Sequence, residues 1–173
     1  MRSYLLSALL LYLVGCTPIT QPTTPQYPKE KLYRQLLSID NSIDHSEARI
    51  LADQAIKYSL ILKQKYGANT TPLLHNLLVN TGIKDRGLCY EWSDDLYSHI
   101  QKYRFKTIML KPVGAYIGSY WSEHNALVVL STANPKFKKG ILLDPWRDSG
   151  KLYFIPITKD PEYRWVIRHD RGI

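Results

Sequence analysis

Three residues of the 173-residue chain have types and settings suited to acyl transfer: Cys89, His124 and Asp144. A thiol attacks a carbonyl as its thiolate, and a helix N-terminus or a neighbouring imidazolium favours that form. A histidine within hydrogen-bond reach takes the thiol proton and returns it to the leaving group. A carboxylate behind the histidine fixes its tautomer and ring orientation. Cys89 opens a helical pattern, His124 lies in a strand pattern, and Asp144 ends the next strand pattern. Helix amides aimed at the sulfur also stabilise the oxyanion of acyl transfer. Taken singly, each residue has a plainer reading: a small core cysteine, a structural histidine, a turn-forming Asp before Pro145. Their order and settings favour the joint reading.

These residues need elements to position them. The clearest helix is expected over 44–66, with Asp44 and Glu47 at capping-box spacing. Ala48, Leu51, Ala52, Ala55, Ser59, Leu62 and Tyr66 mark one face, and Gly67 suits the stop. Thr71-Pro72 opens a shorter apolar helix through Leu73, Leu74, Leu77 and Leu78, closing near Gly82. A third helix is expected over 89–103. It turns Cys89, Trp92, Leu96, Ile100 and Tyr103 inward and Asp94, Asp95 and Lys102 outward.

Strands follow over 107–113, 123–131, 141–144, 151–156 and 163–168. In the second, His124, Ala126, Val128 and Leu130 share one face, and Asn125, Leu127 and Val129 the other. Helices first and an antiparallel meander afterwards predict an α+β fold, N-terminal helices packed on an antiparallel β-sheet. Adjacent strands then place His124 beside Asp144, and a helix across the sheet brings Cys89 to them. His45, His75, His99 and His169 lack such a setting and read as surface residues. Glu123 is expected to point to the opposite side of the strand from His124.

The N-terminus reads as removable. Arg2 precedes an apolar run over 5–14, the length of a secretory signal core. It is too short to span a bilayer comfortably. Leu13-Val14-Gly15-Cys16 resembles the bacterial lipobox, which implies cleavage after residue 15 and a lipid on Cys16. Residues 1–15 are then a lipoprotein signal peptide, and 16–30, with Pro18, Pro22, Pro25 and Pro28, a Pro/Thr-rich tether. Residues 31–173 form the single domain. Thr17 after Cys16 favours the outer over the inner membrane, by resemblance to enterobacterial sorting. With Cys16 acylated, Cys89 has no disulfide partner in the chain.

Gly87-Leu88-Cys89, Glu123-His124-Asn125-Ala126 and Leu143-Asp144-Pro145-Trp146 together resemble the transglutaminase-like superfamily. It includes transglutaminases, peptide N-glycanases and bacterial cysteine peptidases and amidases. The resemblance covers roughly residues 73–154. It implies a papain-like core and a Cys-His-Asp triad of Cys89, His124 and Asp144. The departures fall beside those three positions. Asn125-Ala126 stands where many members have Ala-Trp, Trp146 where many have Thr, and Tyr90-Glu91-Trp92 is not the commonest continuation. No Gln sits close before Cys89, which leaves Asn76 and Asn80 as oxyanion candidates. Trp121 and Trp146, with Tyr120, are candidates to wall a substrate groove.

The composition excludes some partners and cofactors. There are 23 Lys+Arg against 15 Asp+Glu, but the basic residues are scattered, so a nucleic-acid module is not favoured. Steep salt dependence of binding would be its mark. No CxxC, paired-His or Gly-rich phosphate pattern stands out, so no metal or other cofactor is expected. The function expected is a lipid-anchored thiol hydrolase or acyl transferase of the cell envelope, a cysteine peptidase or amidase. It would act on an amide in a protein or a peptidoglycan peptide. The alternative is a non-catalytic lipoprotein that keeps the fold for binding or scaffolding.

Overall fold

The computed structural model describes residues 26–119 and 121–169. The expected signal peptide, Cys16 and Tyr120 lie outside the described residues. Among the described residues, four helices precede a five-stranded antiparallel sheet, an α+β arrangement. The helices are α1 Gln26–Leu37, α2 His45–Tyr66, α3 Pro72–Asn80 and α4 Cys89–Gln101. The strands are β1 Ile108–Ala115, β2 His124–Ser131, β3 Ile141–Asp144, β4 Tyr153–Pro156 and β5 Val166–Ile167. Their order across the sheet is β4-β3-β2-β1-β5. No helix among the described residues is long and apolar enough to cross a membrane.

Helix α1 begins inside the segment expected as tether, so residues 26–30 are helical. Pro28 sits in its first turn, where a missing N–H costs nothing. Leu32 and Leu36 are fully buried and tie α1 into the helical layer.

Helix α2 starts as expected: Asp44 accepts the N–H groups of Ser46 and Glu47 at 2.8 and 2.9 Å. The expected reciprocal contact is absent, because Glu47 leaves its own helix. Its carboxylate accepts the N–H groups of Lys106 and Thr107 at 2.7 and 2.9 Å and fixes the entry to β1. Gly67 ends the helix at φ 58°, in the left-handed region.

Alternation along the sheet creates two cores. Leu127, Val129, Ile141 and Leu143 pack under the helices with Leu51, Trp92, Leu96 and Ile100. Ala126, Val128, Leu130 and Leu142 pack on the other face with Val113, Ile157 and Trp165. His124 and Asp144 follow the second set by period two, and Asn125 follows the first. The sheet therefore points His124 and Asp144 away from the helical layer and Asn125 towards it.

In helix α3 the expectation of a surface His75 is overturned. Leu73, Leu74 and Leu77 are exposed, and His75 is buried. His75 Nε2 lies 3.0 Å from the carbonyl of Arg86, on the segment that leads into α4. That segment passes so close that a side chain at Gly87 would stand 2.2 Å from the His75 ring. Gly87 also holds φ at +126°, a conformation open to glycine alone at little cost.

Candidate active site

Cys89 is the first residue of α4, and the chain before it sets its direction. Glu91 Oε2 accepts the N–H groups of Gly87 and Leu88 at 2.7 and 3.0 Å, satisfying donors just ahead of the helix. Arg86 Nε holds the same carboxylate at 3.1 Å, and its Nη2 reaches Asp95 at 3.3 Å. The Trp92 indole donates to the carbonyl of Gly87 at 2.9 Å and is buried against Tyr66. Asp95 is thus not a plain solvated face. It also accepts from Lys65 Nζ and the Tyr66 hydroxyl, each at 2.7 Å.

His124 opens β2 and is buried. Its Nε2 meets Asp144 Oδ2 at 2.7 Å, so the contact expected between histidine and acid is present. With Nε2–H directed to the carboxylate, Nδ1 is the proton acceptor of the neutral ring. Nδ1 is buried and makes no hydrogen bond with the described residues. Trp146, Tyr163 and Trp165 enclose the imidazole, with ring centroids 4.7, 4.8 and 5.4 Å away.

Asp144 is fully buried and saturated. Its Oδ1 accepts the N–H groups of Trp146 and Arg147 at 3.2 and 3.1 Å, and Oδ2 also accepts Arg147 Nε at 3.0 Å. Arg147 continues to Asp160, its Nη2 lying 2.7 Å from Oδ2. The Trp165 indole donates to that same oxygen at 2.8 Å. One line of contacts therefore runs from His124 through Asp144 and Arg147 to Asp160.

Burial alone would raise the pKa of Asp144, but the charges and hydrogen bonds of His124 and Arg147 outweigh it and lower it. Burial likewise pulls His124 down. The Asp144 charge and hydrogen bond, with a smaller contribution from Cys89, overcome it and push His124 up to about 9. The ring is thereby made a stronger base towards a proton offered at Nδ1.

Cys89 reaches this group from the helical side, around the end of the sheet rather than across the face that carries His124. Its Sγ lies 3.7 Å from the carbonyl oxygen of Glu123 and 3.7 Å from Asn125 Nδ2. Cys89 and His124 line one open pocket of about 350 Å³, together with Leu73, Asn76, Trp121 and Trp146.

Of the oxyanion candidates, Asn76 borders this pocket, and Asn80 does not. Asn76 Oδ1 accepts the Trp146 indole N–H at 3.0 Å. The indole is donor only, so this bond turns the Asn76 amide nitrogen away from Trp146. Trp121, 84% exposed, and Trp146, buried, both line this pocket. Glu123 also borders the pocket, its carboxylate held by the Gly118 N–H at 2.8 Å and by Arg168.

The chain matches no family model, no curated protein and no solved structure. What can be said of its chemistry therefore rests on its own residues.

Among the described residues no group of three or more His, Cys, Asp or Glu side chains is arranged to hold a metal ion. Three contributors to the site were not legible as such. Arg147 and Asp160 carried no motif, and Asn125 stood out only as a departure after His124. The one available signal was the strand period, which places Asn125 opposite to His124 and so on the α4 side.

Proposed function

We propose that the protein is a thiol hydrolase or acyl transferase acting on an amide through Cys89, His124 and Asp144. The observation that carries this reading is one histidine whose Nε2 is fixed on a buried carboxylate, while its ring borders the pocket of a helix-opening thiol. Cys89 gives its proton to His124 Nδ1, and the thiolate attacks the substrate carbonyl carbon. The oxyanion is held by first-turn amides of α4, with Asn76 as a side-chain donor. The His124 imidazolium protonates the leaving amine as the carbon–nitrogen bond breaks, which leaves a thioester on Cys89. His124 then deprotonates a water that attacks the thioester carbon; the carbon–sulfur bond breaks, the acid leaves, and the imidazolium returns its proton to the sulfur. An amine in place of that water gives acyl transfer. An open pocket admits water, which favours hydrolysis.

The papain-like core of the transglutaminase-like superfamily is the fold relation this reading implies. The cell-envelope setting, with the domain anchored through a lipid on Cys16 and favoured at the outer membrane, belongs to the same proposal. A protein or peptidoglycan peptide is the substrate class it names.

The test is thiol reactivity. Cys89 should be alkylated by iodoacetamide faster than a model thiol at about pH 6, and His124→Ala should remove that advantage. A Cys89 that reacts no faster than in the His124→Ala variant leaves the protein as a non-catalytic binding or scaffolding module.

A further inference from the structure

Asn125 is buried directly behind the sulfur, on the opposite side of β2 from His124. Its amide orientation follows from chemistry. Arg168 Nη1 lies 2.7 Å from Asn125 Oδ1, and a guanidinium has only donors. The carbonyl end of the carboxamide must therefore face Arg168, and the NH₂ end faces Cys89 Sγ at 3.7 Å. Arg168 is itself held by the Glu123 carboxylate, which the Gly118 N–H fixes in turn. The backbone N–H of Arg168 donates to the Pro112 carbonyl at 3.0 Å, so the guanidinium is anchored from the sheet edge.

Resting on the nucleophile reading above, we propose that Asn125 is a further catalytic residue, a fixed N–H donor to the Cys89 sulfur, and that Arg168 is its positioning residue. Two of the resting thiol's neighbours are of opposite kind. The Glu123 carbonyl can only accept from the S–H, and the Asn125 amide can only donate to the sulfur. When the proton passes from Sγ to His124 Nδ1, the bond to Glu123 is lost and the bond from Asn125 gains a charged acceptor. The donor therefore stabilises the thiolate more than the thiol. It also holds the sulfur at the sheet end, on the pocket that His124 borders. A residue without a side-chain donor after His124 could not supply that bond.

Asn125→Leu separates this role from packing, because it removes the donor at similar volume and adds no charge. Arg168 keeps the Glu123 carboxylate as its partner, so a merely structural Asn predicts a folded variant with an unchanged thiol. The proposal predicts iodoacetamide alkylation at about pH 6 slowed by about tenfold or more. Circular dichroism and a thermal melt verify folding. An unfolded chain would instead alkylate at the model-thiol rate.

Arg168→Met is the second variant, because it leaves Asn125 in place and frees the amide to rotate. It should slow alkylation by about threefold, and Arg168→Lys should restore part of the loss. If His124→Ala slows alkylation while folded Asn125→Leu and Arg168→Met react like wild type, the Asn125 proposal is overturned and the nucleophile reading stands. If His124→Ala also reacts like wild type, both readings fail.

Discussion

His124 and Arg147 meet on a single oxygen of Asp144, at 2.7 and 3.0 Å. The carboxylate that orients the imidazole is thereby locked by a cation that cannot lose its charge. Arg147 lies between the rings of Tyr153 and Tyr163, 4.1 and 4.7 Å from their centroids, and bonds Asp160 with its other nitrogens. The acid is thus placed by a cross-link between the end of β3 and the segment before β5.

That cross-link predicts a stability effect. Arg147→Met leaves Asp160, a buried carboxylate whose pKa Arg147 helps hold at about 2, without its cation. Breaking a buried pair from one side costs about 3–5 kcal/mol. Urea unfolding should show a loss of that order, with a Met side chain recovering little of it.

The pH dependence follows from the raised pKa of His124. Its folded value of about 9 lies above its ordinary 6.5, so its contribution to stability is complete below 6.5 and is lost as pH rises through 9. The melting temperature should decline across that interval, and His124→Gln should flatten the decline. Activity should fall over the same alkaline range, because the leaving amine needs the imidazolium proton. A flat profile through that range would contradict the assignment of His124 as the acid.

The turn before Cys89 makes a separate prediction. Gly87→Ala places a methyl group 2.2 Å from His75 Nε2 at a φ of +126°. The variant should lose about 1–3 kcal/mol from backbone strain alone. The double variant with His75→Ala should recover the clash but not the strain. A thermal melt of the single and double variants separates the two.

Much of this arrangement was legible in the sequence, and its gaps have physical causes. The position of Cys89 at a helix start and of Asp144 at a strand end came from turn chemistry and period-two alternation. Both are local signals, as is the Asp44 cap of α2. Helix α1 was hidden by the proline-rich composition before it, since Pro28 reads as a breaker yet is harmless in a first turn. The burial of His75 was hidden because it depends on the close pass of Gly87, which no window of α3 contains. Arg168 and Asn125 meet across 43 residues, and Arg147 joins the nearby Asp144 to Asp160 beyond the next strand, so no motif announces them. The lipobox reading falls on residues outside those described and stands as a proposal.

A graded series tests the division of labour. Cys89→Ala should abolish turnover while changing little volume, so its circular dichroism should match wild type. His124→Ala should lose about 10²–10⁴-fold. Asp144→Asn should be milder in chemistry, because the acid orients and does not react. Its fold is at greater risk, since Arg147 would face a neutral partner in a buried place. Melts beside the rate measurements keep the two effects apart.

The central claim is that Cys89 forms a covalent acyl intermediate. Its most direct test is to mix the protein with an activated ester such as 4-nitrophenyl acetate, quench, and locate the acyl group by peptide mass. The predicted result is a burst of nitrophenolate with a hydroxylamine-sensitive thioester on Cys89, decaying in water and absent from Cys89→Ala and His124→Ala. An acyl group found only on lysines, at the same level in Cys89→Ala, would contradict it.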